Sequence, residues 1–437
     1  MIVPFLTIYG IVALVMVVKT RYEVLCNELF WLVASWALII GVYLFSGIQW
    51  DYPVSLGTWL YIAVSFFMFI LWRYVGMHSK ESKRASIRLK VRNLNSCVYV
   101  CMGIFGASVY IFEYIRLNGI QTSKIAYLIS FIGTVGNLFV PILLVVGLYL
   151  FADDYINMGK INFLGLVCLG IYFVPCVING GRENVLYLII AMTAIVGYAK
   201  HLDRGRNKKK KKSLFSKILI AVIAVALVCV IIYVSSYRFT SEHSNFFLNL
   251  MDVPETIWKE AELFGAAKNL YANFLYYAVH ELPGLEMVLR FYDGPYMFGL
   301  YELNTISRRL PSSLGLDYRL VTEAMNREVF SKTGDVVLLE IGWRTMLASL
   351  IYDFGKYATP FVCGGLGYLV GRVRKHYKKQ QSIEYLVLVA IMCMSMFTTI
   401  QLGPFFNFSV YGSFLWWIII FKSPIAMQKR EDRSAYD

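Results

Sequence analysis

Residues 125–151 read IAYLISFIGTVGNLFVPILLVVGLYLF and carry no charged side chain. A helix needs roughly 20 consecutive apolar residues to cross a bilayer, so this stretch predicts a transmembrane helix. Similar apolar runs fill most of the chain on either side of it. Together with 125–151 they give eleven candidate spans, the others lying at 1–18, 29–48, 58–75, 97–116, 161–178, 184–199, 214–234, about 357–372, 383–402 and 405–422.

The composition points to the same class of protein. Hydrophobic residues make up 58% of the chain and charged residues only 16%, whereas a soluble protein carries about a quarter charged residues. The formal net charge of +14 is concentrated in short links between apolar runs. That distribution sets the orientation of a membrane protein, so we expect an all-α polytopic membrane protein that contacts the lipid bilayer and binds no nucleic acid.

The basic links predict the orientation of the chain. They follow the first span and recur at 76–96, 200–213 and 371–382 and in the tail 423–437, all on one side of an eleven-span protein. Because basic loops stay in the cytoplasm, the N-terminus is expected outside and the C-terminus inside.

Four regions follow from this orientation. We predict an N-terminal bundle of about eight spans (1–234), a large extracytoplasmic loop (235–356), about three C-terminal spans (357–422) and a cytoplasmic tail (423–437).

The large loop is the expected location of the chemistry, because it is the one long interval without a clean apolar run. Arginine grips phosphate or carboxylate groups through two parallel hydrogen bonds, which lysine cannot do. The alternative is an ordinary solvated loop with scattered charge. The arginines of the loop are Arg238, Arg290, Arg308, Arg309, Arg319, Arg327 and Arg344.

Two motifs in this loop contain candidate proton-transfer groups. Apolar residues recur at helical spacing over 263–280 and predict a helix on the membrane surface or against the bundle, with Pro283 opening the next helix. His280 at the end of that helix lies beside a carboxylate and is a candidate general base, or a structural histidine. Asp293 lies in an aromatic turn, Tyr292–Gly299, which suits sugar binding or is simply a packed turn.

A third motif is the mostly apolar stretch 335–353. Glu340 and Arg344 share one helix face, so they are a candidate carboxylate and phosphate ligand, or a pair that neutralises itself. Asp353 follows in Tyr352-Asp-Phe-Gly355, before a glycine-rich span. Arg182, in the outer turn 179–183, is placed to meet a lipid-linked phosphate, or else snorkels to headgroups.

Several familiar signatures are absent from the sequence. We find no external Asp-x-Asp, His-Glu-x-x-His or Gly-x-Ser-x-Gly motif. The eight cysteines have no metal-binding or redox spacing. We therefore expect no bound metal and no cofactor.

These features resemble the O-antigen polymerase (Wzy-type) family, the oligosaccharide repeat unit polymerases. The resemblance rests on the many spans, the basic inner links and the large late outer loop. Its local features are Gly-Gly-Arg182 opening a span, the turn through Gly299, and Tyr352-Asp-Phe-Gly355. The spacing from Arg344 to Gly355 fits the Arg-x10-Gly pattern described for some members.

The resemblance implies an enzyme of the bacterial cytoplasmic (inner) membrane. Such an enzyme joins oligosaccharide repeat units carried on undecaprenyl diphosphate into a surface polysaccharide, and it works beside a chain-length regulator and a flippase. Cations then bind the diphosphate, for which the candidates are Arg182, Arg290 and Arg344. A carboxylate or histidine activates the acceptor hydroxyl, for which the candidates are Asp293, Glu340 and His280, and Asp353 is a candidate orienting group.

Two alternatives remain open. A flippase for lipid-linked oligosaccharides is a transporter, which needs no long outer loop and places its charges inside the bundle. An O-antigen ligase or another polyprenyl-linked glycosyltransferase shares the chemistry but uses a different acceptor.

Overall fold

The computed structural model is helical and contains no β-strand in the part of the chain that it describes. The described residues are 2–20, 22–50, 52–79, 96–118, 130–178, 182–205, 248, 251, 253–264, 268–303, 307, 345–401, 403–405 and 407–422. The α-helices there are α1 Ile2–Lys19, α2 Glu28–Ser46, α3 Leu56–His78, α4 Ser96–Asn118, α5 Phe131–Asn157, α6 Phe163–Ile178, α7 Arg182–Gly205, α8 Glu255–Leu263, α9 Lys268–Phe291, α10 Met346–Phe354, α11 Thr359–Gln380, α12 Ile383–Thr398 and α13 Phe408–Lys422.

Six of the described helices are long and apolar enough to cross a membrane, judged by length and composition: α1, α2, α3, α4, α5 and α7. Helices α6, α12 and α13 are apolar but shorter. The run predicted at 214–234 lies outside the described residues. The all-α membrane fold is therefore confirmed in its coarse form, and the count of eleven spans stays a prediction.

The predicted helix 263–280 has different bounds in the structure. Helix α9 starts at Lys268, passes through Pro283 and ends at Phe291, so Pro283 does not open a new helix. A proline inside a helix costs about 3 kcal/mol. Leu282, Leu285 and Val288 around it are fully buried, and each such side chain contributes roughly 1.5–3 kcal/mol. Packing against the bundle therefore outweighs the broken backbone hydrogen bond.

Two other predicted boundaries shift for local reasons. Helix α11 continues through most of the basic link predicted at 371–382, since Lys378 and Lys379 in its last turn interact favourably with the helix dipole. Helix α12 ends at Thr398 rather than at 402, and the linker 399–407 connects it to α13; its described residues 399–401, 403–405 and 407 are not helical.

Polar side chains define where several helices begin. The side-chain oxygens of Ser55, Ser130 and Asn162 each accept the backbone N–H of the residue three positions later, at 3.3, 2.9 and 2.9 Å. Thr345 does the same at the start of α10, at 3.4 Å. Each cap satisfies a donor that the first helical turn leaves unpaired, so the sequence specifies these starts directly.

Helices α3 and α11 pack with their backbones in contact. A Cβ atom at Gly367 would overlap the carbonyl oxygen of Phe69, and one at Gly371 would overlap that of Arg73. Small residues permit this close approach, which is typical of helix pairs in membranes. Gly367 and Gly371, in the glycine-rich run after Gly355, are thus explained by packing of α11 on α3.

The two ends of α3 contact different charged groups. At one end, Glu286 of α9 accepts hydrogen bonds from Ser55 N–H at 2.9 Å and from the hydroxyls of Ser55 and Thr58 at 2.8 and 2.6 Å. At the other end, Arg73 donates to Glu28 at 2.9 Å, and Arg374 of α11 lies 3.8 Å from the same carboxylate. Residues 55 and 73 are ~27 Å apart along a helix. We call these the loop end and the basic end.

Candidate functional site

The candidate site lies at the loop end, where the segment 292–303 packs against α10. Met297 N–H donates to the carbonyl of Tyr352 at 3.1 Å, and Phe298 N–H donates to that of Asp353 at 2.9 Å. Gly299 follows with φ +93°, a conformation that favours glycine. The chain turns there, so that the next residues face α10 again.

Asp353 holds this turn from inside. Its side chain is completely buried, and its two carboxylate oxygens accept the N–H groups of Tyr301 and Glu302 at 2.9 and 3.0 Å. Burial raises the pKa of Asp353, while the N–H groups of Tyr301, Glu302 and Gly299 act in the opposite direction. Asp353 therefore fixes the backbone of 299–302, and its role as an orienting group in a reaction stays a prediction.

Glu302 is the residue that this turn positions. Its side chain is buried, with 4% of the residue exposed. One oxygen, Oε2, accepts the N–H of Phe405 in the linker 399–407 at 3.1 Å. The other oxygen, Oε1, lies so close to Gly403 that a Cβ there would occupy its place. Oε1 has no hydrogen-bond partner among the described residues.

The surroundings of Glu302 favour its protonated form. Burial raises the pKa of Glu302 to about 8, the N–H of Phe405 opposes that shift, and the neighbouring charge of Asp353 adds to it. An ordinary glutamate has a pKa of about 4.3. Glu302 therefore differs from a surface carboxylate in both its exposure and its proton affinity.

Two cationic side chains lie at the rim of this site, the exposed Arg290 and the partly buried Lys356. Lys356 Nζ lies 3.1 Å from Asp293 Oδ1, and the Asp293 side chain is 65% exposed. Arg290 is exposed at the end of α9, with its guanidinium 6.0 Å from the centre of the Tyr52 ring and 5.4 Å from that of Phe291. Arg290 and Asp293, two of the predicted residues, are thus accessible at the loop end.

Exposed aromatic side chains accompany these charges. Tyr296 packs on Gly355, and Phe298 and Tyr357 are 79% and 85% exposed. Aromatic rings beside a carboxylate and a lysine suit a sugar, and they are also typical of a membrane interface.

His280 lies away from this rim. It is 1% exposed, its Nδ1 is 2.6 Å from the carbonyl oxygen of Tyr276, and its ring stacks on the Tyr276 ring at 4.8 Å. Ten residues of helix separate it from Arg290, or ~15 Å. Glu281 is equally buried beside it. The structure therefore does not bring His280 to Asp293.

The remaining predicted residues are described in part or not at all. Glu340 and Arg344 lie outside the described residues. The backbone of Arg182 begins α7, but its side chain lies outside the described part. Asn407 Nδ2 donates to the hydroxyl of Tyr187, also on α7, at 3.5 Å. The start of α7 is therefore next to the linker that carries Gly403 and Phe405.

Sequence reasoning missed Glu302. The predicted aromatic turn stopped at Gly299, three residues before it, and no spacing rule relates Glu302 to Gly403. The available signal was a carboxylate directly after a glycine-containing turn in an apolar setting. Within the described ranges, no group of three or more His, Cys, Asp or Glu side chains is placed to hold a metal ion.

The chain matches no model of a known family, no curated protein and no solved structure. The arrangement at the loop end therefore has to be interpreted from its own chemistry.

Proposed function

We propose that this protein is a membrane glycosyltransferase that polymerises undecaprenyl-diphosphate-linked oligosaccharide repeat units into a surface polysaccharide. The observation that carries the proposal is the composition of the loop end. The segment 292–303 and α10 carry two buried carboxylates, Glu302 and Asp353, and the rim beside them carries the exposed Arg290 and the partly buried Lys356. Transfer from a lipid diphosphate needs both kinds of group at one membrane face.

The membrane arrangement is part of the proposal. In the eleven-span arrangement the basic end, with Arg73 and Arg374, is cytoplasmic, and the loop end faces outward from the bacterial cytoplasmic membrane. The N-terminus is then outside and the C-terminus inside. A lipid carrier that spans the outer leaflet brings its diphosphate to the depth of the loop end.

Each group has a role in the transfer. The diphosphate is the leaving group, and it gains negative charge as its bond to the sugar breaks. Arg290, together with Arg182 and Arg344, is proposed to bind it, because a guanidinium pairs with two phosphate oxygens at once. The exposed rings of Tyr296 and Phe298 are proposed to pack on sugar faces. A flippase and a chain-length regulator are the expected partners in the pathway.

A flippase is the second candidate function, and one observation favours it. His280 and Glu281 are buried within the bundle, part of the way between its two ends. Ionisable groups at such depth are expensive and mark transport pathways in many membrane proteins.

Deletion of the reading frame in its host separates these functions. We expect loss of long polysaccharide while single repeat units still reach the cell surface. Repeat units that accumulate only at the cytoplasmic face would instead identify a flippase. An unchanged polysaccharide length ladder would overturn both proposals.

A further inference from the structure

Glu302 differs from the other buried carboxylates for which the structure gives hydrogen-bond partners. Glu28 pairs with Arg73, Glu113 pairs with Arg116, and Glu286 accepts three hydrogen bonds at the start of α3. These three side chains have evident structural roles. Glu302 has no ion-pair partner in the described ranges and uses only one of its oxygens. A buried polar atom without a partner is costly, and a catalytic role is one of the recognised explanations for it.

The neighbours of Glu302 come from three elements. The linker 399–407 contributes the Phe405 N–H, which fixes Oε2 at 3.1 Å. Helix α10 contributes Asp353, whose charge raises the pKa of Glu302, and α11 contributes Cys363, which lies close enough to interact with it electrostatically. None of these neighbours is a cation. Among the described residues, the carboxyl is therefore held in place without a cation to neutralise it.

We propose that Glu302 takes the proton from the acceptor hydroxyl during glycosyl transfer, and that Asp353 and the Phe405 amide position it. This inference rests on the proposed function. The acceptor oxygen forms its bond to the anomeric carbon of the donor, and the bond from that carbon to the diphosphate oxygen breaks. The diphosphate leaves with the electron pair, the hydroxyl proton moves to Oε1, and Glu302 later releases that proton to water.

The proton affinity of Glu302 fits this role. A general base works best when its pKa is near the operating pH. With a pKa of about 8, about one-tenth of Glu302 is ionised at pH 7, and that fraction is a far stronger base than an ordinary glutamate. The rate should therefore rise with pH until Glu302 is fully ionised.

The test measures polymerisation in reconstituted membranes with purified lipid-linked repeat units, as initial rate against pH. We expect the wild-type rate to rise between pH 6.5 and 8.5 with an apparent pKa of about 8. Glu302→Gln should lose about 10²–10⁴ of the rate while it still binds the lipid-linked donor. Glu302→Asp keeps the carboxylate on a side chain that is one methylene shorter. It should retain part of the rate, with a shifted pH profile.

Glu286→Gln is the matched control. It changes another buried glutamate of the loop end to its amide, but it should leave the apparent pKa in the rate profile unchanged. If Glu302→Gln keeps the wild-type rate and profile, the assignment of Glu302 is wrong and the proposed function stands. If Glu302→Gln does not fold, a wild-type profile without a rise between pH 6.5 and 8.5 still overturns the assignment. No polymer from the wild-type protein would overturn the proposed function, and this inference with it.

Discussion

Replacing Gly403 by alanine is expected to destabilise the protein through a clash with one identified side chain. A Cβ atom at position 403 would occupy the place of Glu302 Oε1. The carboxyl must then move and give up the hydrogen bond from Phe405. Overpacking costs about 1–3 kcal/mol and a lost hydrogen bond about 0.5–1.5 kcal/mol, so we expect a total of about 2–4 kcal/mol.

The same change should cost little when Glu302 is also alanine. Glu302→Ala leaves a cavity beside Gly403, and the new methyl group fills part of it. We therefore expect Gly403→Ala to cost only about 0–1 kcal/mol in that background, because residues in direct contact show coupling energies of about 0.5–3 kcal/mol. Gly365→Ala is the control glycine, since nothing lies within 4 Å of a Cβ there.

The measurement is thermal unfolding in detergent, followed by tryptophan fluorescence. It compares the wild type, Gly403→Ala, Glu302→Ala and the variant that carries both changes. For a chain of this size, 2–4 kcal/mol corresponds to roughly 2–4 °C in Tm. Gly365→Ala should leave Tm unchanged or raise it slightly, as alanine is favoured over glycine in a helix by about 0.5–1 kcal/mol. An equal fall in Tm from Gly403→Ala in both backgrounds would refute the contact between Gly403 and Glu302.

Three further predictions test the site and its orientation. Arg290→Ala should reduce polymerisation by a factor of about 10²–10³, and Arg290→Lys should reduce it by less. The measurement is polysaccharide length at equal protein level. Lys259→Ala, which changes an exposed lysine on α8, should have no effect. The folded-state pKa of Glu302 is about 8, above its unfolded value, so the thermal stability of the wild type should fall as the pH rises from about 4.5 to 8. Glu302→Gln should flatten that decline. An identical slope of stability against pH in both proteins would contradict the burial of Glu302. In a cysteine-free background, His78→Cys should be labelled from the cytoplasm and Tyr357→Cys from outside; labelling from one side only would disprove the proposed orientation.

The sequence predicted the helices better than the site, for a physical reason. Spanning helices arise from local composition, and their starts at residues such as Ser55 and Ser130 depend on side chains a few residues away. The path of α9 through Pro283 was mispredicted because burial against the bundle overrides the local preference. The close packing of Glu302 depends on Gly403, and its raised pKa depends partly on Asp353. No periodicity in the sequence connects residues so far apart.

The distribution of buried charge bears on the choice between an enzyme and a transporter. A transporter needs polar groups along a path between the two membrane faces, whereas an enzyme that acts on a lipid headgroup needs them at one face. In the described part of the chain, Glu28 and Arg374 are neutralised by their neighbours at the basic end, and Glu302 and Asp353 lie where the segment 292–303 packs on α10. His280 and Glu281, on adjacent positions of α9, are also buried between the two ends. Glu302, whose Oε1 has no hydrogen-bond partner in the described ranges, lies beside the turn that leads to the exposed rim, and in the proposed orientation this position favours chemistry at the outer face over passage through the bundle.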